Sequence, residues 1–203
     1  MYSQSSEEKY ILEYFGNYVG TFADIGCNDC LTFSNTRALA LRGWKGIFVD
    51  PSPKAMERCK TLYNGYKGYY FYPVAISSHN GKAILNESGP LCSPTDVGLV
   101  STFHAHEMDR FKRTVKYEQV EVKTFKWKTF FNRLTLKNFD FINIDTEGEN
   151  VTVLQQIDLT TCKLLAVEWN SIDSVRKEIL EYTSKFDMNK VIYTSGENLL
   201  ITR

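Results

Sequence analysis

The chain has 203 residues, 43% of them hydrophobic, enough for one globular domain with a substantial core. Its 24 basic and 24 acidic side chains cancel, which argues against a partner held mainly by charge, such as a nucleic acid or an anionic membrane. There is no apolar run of about 18 residues, and the start MYSQSSEEKY lacks the apolar core of a signal peptide, so the expected compartment is cytoplasmic.

Residues 5 to 15 predict a capped amphipathic helix. Ser5 or Ser6 is the cap, Glu7 and Glu8 lie in the first turn, and Gly16 is the stop. Thr21 to Asp50 then reads as one βαβ unit. Its first strand is Phe22 to Ile25, and Asp24 lies within it. Gly26 lets the backbone turn tightly and come close to a ligand. Ser34 or Asn35 can cap a helix that runs to about Arg42 and ends at Gly43. Ile47 to Val49 form the second strand, which ends in Asp50. A carboxylate roughly 20 residues past a glycine turn accepts hydrogen bonds from the ribose hydroxyls of an adenosine.

The loop also limits which adenosine compound fits. A dinucleotide loop reads GxGxxG, so that bare backbone can approach a pyrophosphate. Here Asn28 and Leu31 occupy the later glycine positions, and there is no GxxxxGK[ST] run for a triphosphate. One glycine and a polar Asn28 suit a phosphate-free ligand such as S-adenosylmethionine. The alternative is a plain α/β domain with an incidental glycine turn.

Five cysteines (Cys27, Cys30, Cys59, Cys92 and Cys162) leave one out of any full pairing, and free thiols in a reducing cytosol account for them. Cys27 and Cys30 form a CxxC at a helix start. Without the usual aromatic and proline neighbours, or a second CxxC, the pair belongs to the cofactor loop rather than to redox or metal chemistry.

Further along, Pro51 and Pro53 stiffen the exit from strand two, and a helix follows to about Tyr63. Residues 69 to 76 predict a third strand, with Pro73 marking an edge or an end. Ala75 and Ile76 then lie beside the adenine. A turn at 79 to 81 leads into an extra β segment. Residues 87 to 98 predict a mobile substrate lid, and the lid with its insertion extends to 128. Leu99 to Phe103 reads as extended, and His104 to Arg113 as helical. The basic residues between Arg110 and Lys128 are mixed with acids and read as a solvated face.

Phe139 to Ile144 predict a buried parallel strand ending in Asp145, with Glu147 and Gly148 next. The right-handed crossover rule places it beside the first strand, so its end opens onto the same cleft as Gly26. Asp145 and Glu147 then sit at the reacting end of the ligand. Leu164 to Trp169 give a fifth parallel strand, and residues 191 to 202 a closing hairpin.

Taken together, DIGCNDC, GWKGIFVDPSP, YPVAIS, GLVSTF and FDFINIDTEGENVTVLQQIDL followed by VEWN resemble the FkbM family of S-adenosylmethionine-dependent methyltransferases over residues 3 to 172. The resemblance implies an α/β fold of the class I methyltransferase, Rossmann-like kind, with a mostly parallel seven-stranded sheet whose last strand is antiparallel. It also implies O-methylation of a hydroxyl on a sugar, glycan or other small metabolite, with S-adenosylhomocysteine as product. The positions it carries over are Asp24, Gly26, Asn28, Asp50, Asp145, Glu147 and Gly148, and the cofactor-binding candidates are Asp24, Gly26, Asn28, Asp50, Pro51, Ala75, Ile76 and Asp145. One position departs from the family: Cys30 stands where a glycine is usual. If that position needs φ above zero, cofactor binding is weakened.

An alcohol nucleophile must lose its proton as the new bond forms. Glu147 is the preferred base. His104 is a second candidate, because its ordinary pKa is near neutral. The structural alternatives are helix N-terminal charge for Glu147 and an exposed helix start for His104. Asp145, Glu147 and Glu168 can present oxygen ligands to Mg²⁺, but nothing in their spacing demands it. Two rival classes are a nicotinamide-dependent oxidoreductase and a binding protein that keeps the fold without turnover.

Overall fold

The computed structural model describes residues 1–92 and 94–203. The elements that carry the fold are α1 (Glu7–Phe15), β1 (Thr21–Ile25), α2 (Arg37–Leu41), β2 (Lys45–Val49), α3 (Pro53–Leu62), β3 (Tyr69–Tyr72), β4 (Ala75–Ile76), β5 (Gly81–Ser88), α4 (Ala105–Phe111), β6 (Tyr117–Phe125), α5 (Trp127–Phe131), β7 (Phe141–Ile144), α6 (Asn150–Leu154), β8 (Leu164–Glu168), α7 (Asp173–Ser184), β9 (Lys190–Thr194) and β10 (Asn198–Thr202).

Seven strands form the main sheet in the order β3-β2-β1-β7-β8-β10-β9. The first five are parallel, and β10 runs antiparallel to both β8 and β9. The last strand of the chain is thus the antiparallel one, as expected. β7 does lie beside β1, with Asp24 opposite Asn143. Side chains alternate across the sheet. Phe22, Phe48 and Phe141 pack against Ile11, Leu39 and Met56 of α1 to α3 on one face. Ala23, Ile47 and Ile142 pack against Phe130, Leu154 and Ile179 of α5 to α7 on the other. Each large apolar side chain removed from water in these layers contributes roughly 1.5–3 kcal/mol.

The predicted strand at 69 to 76 is two strands in two sheets. Pro73 has no N–H for a ladder, and Val74 turns its own N–H back to Tyr72 O at 2.9 Å. β3 stays at the edge of the main sheet, while β4 joins a three-stranded sheet in the order β4-β6-β5.

The loop expected over 87 to 98 begins later, because Glu87 and Ser88 belong to β5. Glu87 is buried, accepting from Ser52 Oγ at 2.5 Å and pairing with Lys54 at 2.7 Å. Beyond it, buried Asp96 gathers the N–H groups of Leu91, Cys92, Gly98 and Leu99 on its two oxygens. Ser93, also within that predicted loop, lies outside the described residues.

Helix starts differ from expectation in detail. Ser6 holds the cap position of α1 without a side-chain bond. α2 begins at Arg37, and Ser34 Oγ accepts from the Arg37 N–H at 3.1 Å, while the Asn35 amide donates to Asn143 instead. α3 is capped by Ser52, with Pro53 at its first position. α1 docks on the C-terminal hairpin: buried Glu7 accepts from Ser195 Oγ at 2.8 Å and from Asn198 Nδ2 at 3.4 Å, and Tyr10 stacks on Tyr193 at 4.4 Å. No helix among the described residues is long and apolar enough to cross a membrane.

Candidate active site

A cavity of about 390 Å³ opens at the carboxyl ends of β1, β2 and β7, the usual ligand position in such a sheet. Asp24, Gly26, Asn28, Asp50, Pro51, Ala75, Ile76, Asp145 and Glu147 all line it. His104 does not.

At one end the wall is the loop after β1. The N–H groups of Gly26 and Cys27 both reach Val49 O, at 2.8 and 3.3 Å, so the loop leans on the end of β2. Gly26 has φ +83°, and a Cβ there would lie 1.5 Å from the carbonyl oxygen of Asp145. The glycine is therefore required by the close approach of the β1 and β7 ends, beyond the access to a ligand that the sequence suggested. Asp50 accepts from Asn28 N–H at 2.9 Å and from Ser52 N–H at 2.8 Å, one bond on each oxygen. A carboxylate has about four acceptor positions, so it keeps capacity for two more donors. Burial pushes its carboxyl up to about 6, against those two bonds. Neither atom of the buried Asn28 side-chain amide has a partner.

Asp24 plays a different part. Thr36 Oγ1 donates to one oxygen at 2.5 Å and Asn143 Nδ2 to the other at 2.8 Å. It joins β1, β7 and the approach to α2 beneath the cavity, and burial pushes it up to about 6. Thr36 and Asn143 escaped sequence reasoning, and Asn35 was read only as a helix cap. An isolated Asn in an apolar strand was the available signal at position 143.

The expectation of free thiols throughout is corrected. Cys30 and Cys59 form a disulfide, with Cα atoms 5.3 Å apart, between the loop after β1 and α3. Chain topology brings residues 29 positions apart side by side, which no local pattern reveals. Cys27, Cys92 and Cys162 are free. Cys30 has φ +60°, the left-handed case in which a Cβ is costly.

At the other end, oxygens of Asp145, Glu147 and Glu168 all lie within 4.8 Å of one another and can hold a divalent cation. Burial first, and then mutual repulsion, raise Asp145 and Glu147 well above the ordinary carboxylate range. Glu168 is also raised by burial, although Asn150 Nδ2 donates to it at 2.5 Å. Asn150 in turn accepts from the N–H and hydroxyl of Thr146 at 2.7 and 2.9 Å, which fixes the turn. Glu147 sits at φ +45°, and its carbonyl accepts from Thr102 Oγ1 at 2.8 Å. Left-handed backbone at a non-glycine residue, held by its surroundings, is typical of functional positions.

Arg110 of α4 also lines the cavity and binds Glu107 at 2.6 Å. It too was missed, having been read as part of a solvated face. His104 Nε2 lies 3.0 Å from Glu149 Oε1, and its ring packs where a Gly148 side chain would be.

The profile of the methyltransferase FkbM domain matches residues 19–187, most of the chain. A comparison with curated protein sequences finds no match. Among solved structures, monomeric WbdD is similar over 98% of this chain, with a TM-score of 0.50 at 10% identity. The chain spans 41% of that protein's length, and at such identity the likeness is one of fold alone. Precorrin-6y C5,15-methyltransferase from Geobacter metallireducens GS-15 aligns over 96% of this chain and 86% of its own, with a TM-score of 0.44 at 9% identity. A seven-stranded sheet closed by an antiparallel hairpin, and a family match that includes both Gly26 and Glu147, lead to one conclusion: this chain belongs to the FkbM methyltransferase domain family.

Proposed function

We propose that the cavity binds S-adenosylmethionine and that the protein methylates a hydroxyl on a sugar, glycan or other small metabolite. The observation that carries this reading is Asp50, anchored by two backbone N–H groups at the end of β2 with acceptor capacity left over. The charge of the cavity supports it. Asp24, Asp50, Asp145, Glu147, Glu149, Glu168 and Glu197 line it against Arg110 alone among the described residues. S-adenosylmethionine carries a sulfonium and an ammonium against one carboxylate, so it suits that wall. The pyrophosphate of a nicotinamide dinucleotide does not.

When bound, the cofactor supplies a methyl group already activated by its sulfonium. Asp50 would accept the ribose hydroxyls. The orphaned Asn28 amide fits a polar ligand group, and Ala75 and Ile76 would give the adenine an apolar wall. Glu147 would take the proton of the acceptor hydroxyl as its oxygen is alkylated. Burial, and after it the neighbouring Glu168, raise its pKa well above the ordinary carboxylate value, which makes its ionised form the stronger base.

Calorimetry with S-adenosylhomocysteine tests the cofactor, and labelled methyl transfer into glycan extracts tests the reaction. Micromolar binding with label in a base-stable ether supports both. Binding of NAD in place of S-adenosylhomocysteine would overturn the cofactor, and binding without transfer would leave a ligand-binding protein on a methyltransferase fold.

A further inference from the structure

Four residues in the stretch from Gly26 to Phe33 have positive φ: Gly26, Asn28, Cys30 and Phe33. Asn28 tolerates this backbone, but Cys30 and Phe33 carry side chains that disfavour it, so local preference alone does not hold the loop in shape. Ties within the loop and to its neighbours hold it. Asp29 caps the N–H groups of Leu31 and Thr32, Asn28 N–H reaches Asp50, and Cys30 is bonded to Cys59 on α3. Cys59 Sγ also lies 3.1 Å from the carbonyl oxygen of Asn28. The disulfide therefore joins the two walls that meet at Asp50.

We propose that the Cys30–Cys59 disulfide is a redox-operated latch on the cofactor wall, whose reduction by a dithiol loosens the loop after β1 and weakens cofactor binding. The effect on the cofactor rests on the reading of the cavity given above. In the step, a dithiol supplies two electrons and two protons, the Cys30–Cys59 bond becomes two thiols, and the dithiol closes to a cyclic disulfide. Both cysteines are fully buried, so the reductant acts when the loop opens.

Cys27 does not short-circuit the latch. Its sulfur lies within 4.8 Å of both others. Burial and the neighbouring carboxylates of Asp24 and Asp50 hold its thiol well above the ordinary range, so it stays protonated and does not attack. Reciprocity adds a second consequence: if reduction weakens the cofactor, bound cofactor must protect the disulfide by the same factor.

The test compares wild-type protein, oxidised and dithiothreitol-reduced, by calorimetry with S-adenosylhomocysteine and by amide hydrogen exchange over residues 27 to 33. The expected result is about tenfold weaker binding after reduction, with faster exchange in the loop, the factor following from one residue returning to right-handed backbone. Cys59→Ser should match the reduced protein. Cys30→Gly, which tolerates positive φ without a tether, should bind alike with and without dithiothreitol. If Cys59→Ser does not fold, reduced wild type carries the comparison. Unchanged exchange on reduction would overturn the latch, as would equal affinity in the two forms. Faster exchange with no binding in either form would keep the tether and remove the cofactor assignment.

Discussion

The two ends of the cavity treat buried negative charge in opposite ways. At the cofactor end each carboxylate has its own donors: Thr36 and Asn143 for Asp24, and two backbone N–H groups for Asp50. At the acceptor end Asp145, Glu147 and Glu168 face one another within 4.8 Å. A carboxylate surrounded by donors is a fixed part of a wall. Carboxylates turned toward each other cannot all ionise, so they hold protons that they can exchange. In the proposed reading, one end grips the cofactor and the other moves a proton.

The largest blow to this division is Gly26→Ala. Its methyl would meet a backbone carbonyl at 1.5 Å and cannot be accommodated by a side-chain rotation. A loss on the order of 3 kcal/mol or more in chemical denaturation is expected, from overpacking added to left-handed strain. A near-normal transition midpoint would mean that the β1 and β7 ends are not in contact.

Glu147→Gln separates the ends. Turnover should fall by about 100-fold or more while affinity for S-adenosylhomocysteine stays within about twofold. A parallel loss of both would move Glu147 to the gripping end.

Asp50→Asn should do the reverse, weakening S-adenosylhomocysteine by roughly 10- to 100-fold, the worth of charged hydrogen bonds. The pH profile gives a finer cut. Asp50 titrates at about 6 in the free protein, above its unfolded value near 4, so its neutral form is favoured by folding. Its contribution to stability is present below about pH 4 and lost as pH rises through 6. Ribose binding needs the ionised form, so affinity should fall as pH drops below 6, toward tenfold per unit. Flat affinity between pH 5 and 8 would remove Asp50 from the ligand.

The smallest effect is expected for His104→Gln. His104 is turned to Glu149 and lies off the cavity, so turnover should change by about twofold at most. A hundredfold loss would return it to the acceptor end as a base.

Much of the gripping end was legible in the sequence because its parts are consecutive. A short apolar strand, one glycine and a strand-terminal Asp50 make a local pattern, and short apolar runs together with the crossover rule placed β1, β2 and β7. The acceptor end was legible at Asp145, Glu147 and Glu168, which end a strand or follow one directly. Arg110 arrives from a helix whose surroundings read as solvated. The Asn150 clamp on Glu168 depends on α6 and β8 meeting in space. The Cys30–Cys59 bond depends on α3 passing behind the loop after β1. The 69 to 76 stretch misled for a local reason: its β-rich composition continues past Pro73, while the missing N–H sends the chain into another sheet.

The docking of α1 has a consequence for synthesis on the ribosome. Glu7 and Tyr10 find their partners on Ser195, Asn198 and Tyr193, and Ser195 is made 188 residues after Glu7. Helix α1 therefore emerges with an acidic group whose resting place does not yet exist. That group must stay solvated while the sheet between them is made, and α1 docks only once the β9–β10 hairpin has left the exit tunnel.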